Sequence, residues 1–219
     1  MKKKIIPLVF TVTLLLFMLS LSIALPIYCR FFYFAHIKPL GLDHLKWSVA
    51  EIKEAYNELL NYLTLPWCEF GTGVFKYSED GAAHFADCRA LFMLDTAVLI
   101  ASAIGLIVMI VLKIKKVIPT LSFENRSSVF YAGVLLIAIP IVIGGLASIN
   151  FDVAFEIFHK IFFPGKDNYV FYPSDDQIIL VLPVEFFMNC AIFIASGLLL
   201  FSLSCIVFEI IRTKKNFSF

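Results

Sequence analysis

The stretch FDVAFEIFHKIFFPGKDNYVFYPSDDQIILVLPVEFF, Phe151–Phe187, decides how the chain is read. It lies between two segments apolar enough to enter a membrane, Val129–Ile149 and Val184–Ile211, yet it is itself wet. One histidine, His159, stands among phenylalanines, and a polar turn follows at Pro164-Gly165-Lys166-Asp167-Asn168. Asp152, Glu156 and His159 recur at spacings of four and three, so a helix over Asp152–Phe163, continuing from the segment before it, puts them on one face. Pro164-Gly165 ends that helix. Tyr169–Tyr172 is expected to be extended, Pro173-Ser174-Asp175-Asp176 to open a short apolar helix, and Pro183 to sit in the first turn of the next span.

Outward from this stretch the chain is greasy. Of 219 residues 60% are hydrophobic and 16% charged, against roughly 45–50% apolar in soluble domains. A spanning helix takes about 20 apolar residues, and four segments qualify: 5–27, 90–112, 129–149 and 184–211. The fold class expected is an all-α membrane protein with four transmembrane helices in a single membrane domain, 1–219. Lys2, Lys3 and Lys4, then Lys113, Lys115, Lys116 and Arg126, then Arg212, Lys214 and Lys215 all fall on one side of these spans. Basic residues at span ends mark the cytoplasmic face. Both termini are therefore expected inside, and loops 28–89 and 150–183 outside, forming an extracytoplasmic cap that holds all four histidines. A signal peptide is the rival reading of the start, but the run Ile5–Leu21 exceeds the roughly 7–15 apolar residues of such a peptide. The lipid bilayer is one partner. No basic patch coincides with an exposed aromatic surface, which excludes nucleic acid.

The third span carries Pro140 and Gly144-Gly145, which predict a bend and close helix approach. In the first outer loop, Tyr28, Phe31, Phe32, Tyr33 and Phe34 suit the headgroup level. Leu45, Val49, Ile52, Tyr56, Leu59 and Leu63 predict an amphipathic helix over Leu42–Leu63. Val74–Tyr77 has the composition of a short strand. Ser78 predicts the N-cap of a helix whose first acids, Glu79 and Asp80, suit the positive end of its dipole. Of five cysteines, Cys68 and Cys88 share the outer side, where a disulfide can form.

Two histidines stand at the outer ends of membrane helices: His84 before the second span and His159 after the third. At that depth lie lipid headgroups and ester carbonyls, and imidazole exchanges a proton near neutral pH. Asp87 and Glu156, one turn from each ring, are placed to orient them as the acid of a triad does. His36 and His44 read as cap surface. The same four side chains, His84, Asp87, Glu156 and His159, also suit a metal-dependent hydrolase in a helical bundle. A third reading is a non-enzymatic membrane sensor or subunit. No nucleophile elbow, phosphate loop or dinucleotide glycine motif occurs.

The segment Ser78-Glu79-Asp80-Gly81-Ala82-Ala83-His84-Phe85-Ala86-Asp87, and the run Phe151-Asp152 through Phe158-His159, Phe162-Phe163, Asp167-Asn168-Tyr169, Pro173, Asp176, Ile178-Ile179 and Leu182-Pro183 to Phe186-Phe187, resemble the bacterial lipoprotein intramolecular transacylase family. The resemblance covers nearly the whole chain. Ala82-Ala83 and Cys88 depart from it, the family having a bulkier pair and a valine there. It implies an acyltransferase of the bacterial plasma membrane, with its active site on the extracytoplasmic face. The reaction implied moves the sn-2 acyl chain of a membrane-anchored diacylglyceryl-cysteine lipoprotein to the α-amino group of that cysteine, giving the lyso form. The family's histidines fall on His84 and His159, with no cofactor and no metal. Phe158, Phe162, Phe163, Tyr169, Phe171 and Tyr172 are candidates to exclude water from the reacting ester, and Asp167, Asn168 and Asp176 to contact the substrate's polar groups.

Overall fold

A computed structural model describes residues 2–118 and 120–217. Among these residues seven α-helices run in order: α1 (Lys2–Tyr28), α2 (Arg30–His36), α3 (Val49–Thr64), α4 (Glu79–Ile114), α5 (Ser128–Ile149), α6 (Phe151–Phe162) and α7 (Val184–Phe217). Short 3-10 turns lie at Leu42–His44 and Gln177–Leu180. No strand ladder forms among the described residues, where one isolated bridge joins Ser122 and Ser127. Segment 75–77 offers a ladder almost nothing: Lys76 exchanges hydrogen bonds with Gln177 alone, its carbonyl accepting from the Gln177 N–H at 2.9 Å and its N–H donating to Gln177 Oε1 at 3.1 Å.

Among the described residues three helices are long and apolar enough to cross a membrane, Lys4–Tyr28, Glu79–Ile114 and Val184–Lys214, and α5 adds a shorter apolar stretch, Ser128–Val142. The 36 residues of α4 extend about 54 Å, well beyond the roughly 30 Å of a hydrocarbon core. The surplus falls at its polar start, which carries Glu79, Asp80, His84, Asp87 and Arg89 before the apolar run begins at Ala90.

Contacts divide the chain into two compact units. The first comprises Met1–Ala24, Thr96–Gly145 and Phe193–Phe219. Met18, Ala132, Leu136, Leu198 and Cys205 form its core. Without hydrophobic attraction between helices in lipid, small residues that let backbones meet hold such a unit together. Gly133 is that residue here. A Cβ on it would lie 2.7 Å from Cys205 Cβ and 3.0 Å from the Ser202 carbonyl, and Ser202 Oγ donates to the Gly133 carbonyl at 2.7 Å. Among the described residues a Cβ on Gly144 or Gly145 meets nothing within 4 Å, unlike one on Gly133.

The second unit comprises Leu25–Asp95 and Leu146–Ile192. Its core is aromatic: the fully buried Tyr33 stacks on Tyr56 at 3.8 Å and donates its hydroxyl to the Val181 carbonyl at 2.7 Å. Helix α3 starts at Val49 rather than Leu42, because Ser48 and Glu51 form a reciprocal capping box that satisfies the first free N–H groups. From there Ile52, Ala55, Tyr56, Leu59, Leu60 and Leu63 are buried. Arg30 forks to Asn57 and Asn61 at 2.6 Å each, tying α2 to α3. Helix α6 does not continue α5. Asn150 leaves the helical conformation and caps a fresh start by accepting from the Val153 N–H at 3.1 Å. Cys68 and Cys88 are both free thiols.

Replacing Gly133 by Ala forces α5 and α7 apart and is expected to lower stability by about 1–3 kcal/mol. Gly144→Ala, with open space around it, is expected to be neutral or stabilising by up to about 1 kcal/mol. Thermal unfolding of the two variants in detergent, followed by tryptophan fluorescence, distinguishes them by sign.

Candidate active site

The first turns of α4 owe their place to one carboxylate. Asp176, only 4% exposed, accepts from the Ser78 N–H at 2.8 Å and from the Ser78 hydroxyl at 2.9 Å. Ser78 Oγ in turn accepts from the Gly81 N–H at 2.9 Å. An N-cap hydroxyl and a carboxylate at the positive end of the dipole are both stabilising. Position 81 has no room for a side chain, since a Cβ there would run into the Asp176 carboxylate and the Phe171 ring. One turn further on, the same helix presents His84.

His159 comes from the last turn of α6. The two imidazoles, 75 positions apart in sequence, face each other with centroids 5.6 Å apart and planes at 31°. Both are buried, His84 at 4% exposure and His159 at 7%. Tyr169 stacks on His159 at 4.8 Å, and Phe155 meets it edge-on at 4.4 Å. Phe163 and Phe171 close over His84 at 4.9 and 5.4 Å.

Hydrogen bonds differentiate the rings. His159 Nδ1 lies 2.7 Å from the Phe155 carbonyl. A carbonyl only accepts, so Nδ1 carries the proton, and the neutral ring keeps its lone pair on Nε2. His84 Nε2 lies 3.3 Å from Cys88 Sγ, while its Nδ1 is buried beside the Asn168 amide, outside ideal hydrogen-bond geometry yet close enough to act on the ring.

A profile of the lipoprotein intramolecular transacylase Lit matches residues 8–187. The chain belongs to that family. The fold agrees with the membrane-integral lipoprotein intramolecular transacylase Lit from Bacillus cereus at a TM-score of 0.87 and 28% identity, covering 100% of this chain and 99% of that one. Two further structures of the Bacillus cereus protein, in which a histidine is replaced by arginine or by alanine, match with TM-scores of 0.79 and 0.80. Their identities are 27% and 26%, with 98% and 100% of this chain covered and 93% and 96% of those chains. Comparison with curated protein sequences gives no match. As a lipoprotein intramolecular transacylase the chain is an acyltransferase and an integral membrane protein.

The electrostatics of this transacylase keep both imidazoles neutral. Burial, reinforced by the neighbouring His159, pushes the His84 pKa down to about 4. The Asp87 charge and the Asn168 amide pull the other way without overcoming it. Burial also lowers His159, against an opposing pull from its bond to the Phe155 carbonyl. Burial pushes the Cys88 thiol up to about 12, so it stays protonated.

The carboxylates expected to orient these rings are engaged elsewhere. Asp87 binds Lys166 Nζ at 2.5 Å and accepts from Asn168 Nδ2 at 3.2 Å, bonds that hold its carboxyl below the usual range. It therefore clasps the 163–172 segment to α4. Glu156 pairs with Lys160 at 2.5 Å on an exposed face, and a backbone carbonyl does the work expected of it at His159. Among the described residues no three ligand-type side chains converge as a metal site would need. Phe158 touches His159 edge-on at 5.5 Å, whereas Phe162 packs on Phe158 and is half exposed, as is Tyr172. Asp167 lies exposed in the turn, its carbonyl accepting from the Val170 N–H, and Asp176 is spent on Ser78. Sequence reasoning missed Phe155, Cys88 and Lys166. Cys88, at i+4 from His84, and Phe155, at i−4 from His159, carry a spacing signal; Lys166, 79 positions from Asp87, carries none.

The folded His84 ring binds a proton less readily than the unfolded one, so its contribution to stability is complete above about pH 6.5. It is lost as pH falls towards about 4. Thermal midpoints in detergent are expected to drop across that window, and His84→Gln is expected to flatten the drop relative to the parent.

Proposed function

We propose that this acyltransferase moves the sn-2 acyl chain of a membrane-anchored diacylglyceryl-cysteine lipoprotein onto the α-amino group of the same cysteine, with His84 and His159 as its catalytic residues. The observation that carries the assignment is the pair of neutral imidazoles with centroids 5.6 Å apart inside an aromatic enclosure, close enough for both to act on one ester and its attacking amine. Those solved Bacillus cereus variants in which a histidine is replaced agree with a histidine at the centre of the family's chemistry. The wider setting is a bacterial plasma-membrane protein with four spans in one domain, both termini cytoplasmic, and loops 28–89 and 150–183 capping the outer face. The distribution of Lys and Arg supports that orientation.

His159 is the base. Its Nε2 lone pair takes a proton from the cysteine amine as the nitrogen attacks the ester carbonyl, and returns it to the sn-2 oxygen of the glycerol as the C–O bond breaks. An α-amino group has a pKa of about 7.7–8.0, so the ammonium first gives one proton to water. The second then passes through His159. A C–N bond forms, a C–O bond breaks, and no oxidant or metal enters the balance.

His84 is the oxyanion donor. With the protonated Cys88 thiol donating to Nε2, the ring's own proton sits on Nδ1 beside the Asn168 amide, and the carbonyl oxygen of the ester takes over that N–H as its charge develops. A buried N–H that developing charge can recruit is the arrangement that stabilises a tetrahedral intermediate. Because amine and ester belong to one molecule, holding them together supplies up to roughly 7–11 kcal/mol of the barrier reduction. Phe163, Tyr169 and Phe171 exclude the water that would otherwise hydrolyse the ester.

In a bacterium lacking N-acylation, expression of the parent chain is expected to shift one acyl chain of a reporter lipoprotein to its amino terminus, read by mass spectrometry of the N-terminal peptide. His159→Ala is expected to abolish the shift and His84→Ala to reduce it by about 10²–10³; an unchanged diacylglyceryl peptide with the parent chain would sink the assignment. Asp87→Asn, which loosens the Lys166 clasp, is expected to lower kcat while both histidines remain in place, since small misplacements cost catalysis heavily.

A further inference from the structure

Helix α6 leaves a broad apolar face uncovered. Val153, Ile157, Phe158, Ile161 and Phe162 are 45–67% exposed, and their positions occupy roughly half of the helix circumference. Asp152, Glu156 and Lys160 share the opposite arc and are exposed as well. His159 sits at the boundary between the two arcs and is the helix's buried residue. Large apolar side chains gathered on one stripe, with ionised ones facing away, make the pattern of a helix lying in a membrane interface.

Length and connection agree. Twelve residues reach about 18 Å, too short to cross a core of about 30 Å. A single residue, Asn150, joins α6 to α5, an apolar helix of an integral membrane protein, so α6 is tethered at the bilayer. The stripe also leads inward. Phe162 packs on Phe158 at 4.6 Å, and Phe158 reaches the His159 ring at 5.5 Å, giving an unbroken apolar track from the exposed stripe to the base.

We infer that α6 lies in the surface of the outer leaflet with Val153, Ile157 and Ile161 against acyl chains, and that a diacylated substrate reaches His159 laterally along this stripe. The substrate's identity rests on the transacylase reading, but the seating of the helix does not. Acyl chains stay in lipid throughout the approach, and the glycerol esters are the first polar groups to arrive at the ring.

The test uses the full chain with Trp47 and Trp67 replaced by Phe, in phosphatidylcholine–phosphatidylglycerol vesicles. A single tryptophan is introduced by Ile161→Trp on the stripe or by Lys160→Trp on the polar arc. With lipids brominated near the carbonyl end of the chain, the Ile161→Trp probe is expected to lose most of its fluorescence and to resist aqueous iodide, and the Lys160→Trp probe to behave oppositely. Equal quenching of both by iodide, with brominated lipid without effect, overturns the seating. In the otherwise native chain, Ile161→Lys is expected to raise KM for a diacylated lipopeptide about tenfold with kcat little changed. An unchanged KM overturns the lateral route. A parent chain without any transacylase activity counts against the functional reading alone, because quenching still decides where the helix lies.

Discussion

A carboxylate buried at the head of α4 is the constraint on which the rest of the second unit depends. Taking a charge out of water costs several kcal/mol unless hydrogen bonds and favourable dipoles offset it. Asp176 finds that compensation in the Ser78 N–H and hydroxyl, and in the first turn of a 36-residue helix. The pairing works in one arrangement only, with the loop after α6 pressed against the start of α4 and glycine at position 81. Once it is made, Phe163 and Tyr169, which lie in that same loop, reach both imidazoles, and Phe171 reaches His84. The depth of His84 relative to His159 is thus set by a bond that touches neither ring.

Neutrality is the second consequence of this packing. An imidazolium could not serve as base or leave the amine unprotonated, so the site needs both rings uncharged. Aromatic burial achieves this at some loss of basicity, as a lower pKa makes a weaker base. The placement of Asp87 belongs to the same logic. A carboxylate bonded to an imidazole N–H would favour the charged ring; diverted to Lys166 and Asn168 instead, Asp87 acts on His84 from a distance and too weakly to reverse burial. The cation that neutralises Asp87 comes from the loop carrying Tyr169, so one ion pair both quiets the field and anchors a wall of the site.

Much of this was legible in the sequence, and the remainder was illegible for identifiable reasons. Long apolar runs announce α1, α4 and α7, Ser78 announces the α4 cap, and the positions of His84 and His159 at the ends of membrane helices single them out. Helical spacing, however, only states which side chains share a face; it does not choose among partners. Glu156 has His159 at i+3 and Lys160 at i+4 and takes the lysine, because an exposed ion pair needs no burial of charge. Asp87 finds Lys166 across 79 positions, a contact that no local pattern encodes. The capping box at Ser48 overrode an apolar stripe that began at Leu45. Likewise Gly144-Gly145 looks like a contact motif, yet the close approach is made at Gly133, since which face of a membrane helix meets a neighbour depends on the other helices.

The bond from His159 to the Phe155 carbonyl has an evolutionary corollary. Its acceptor is main chain, so no substitution at position 155 can delete it, and the ring's tautomer is insensitive to mutation there. Drift in the surrounding aromatic residues can reshape the enclosure while the protonation pattern of the base is inherited intact. Only a change that unwinds the last turn of α6 would release it, which shifts the selective burden from any particular side chain to the persistence of the helix itself.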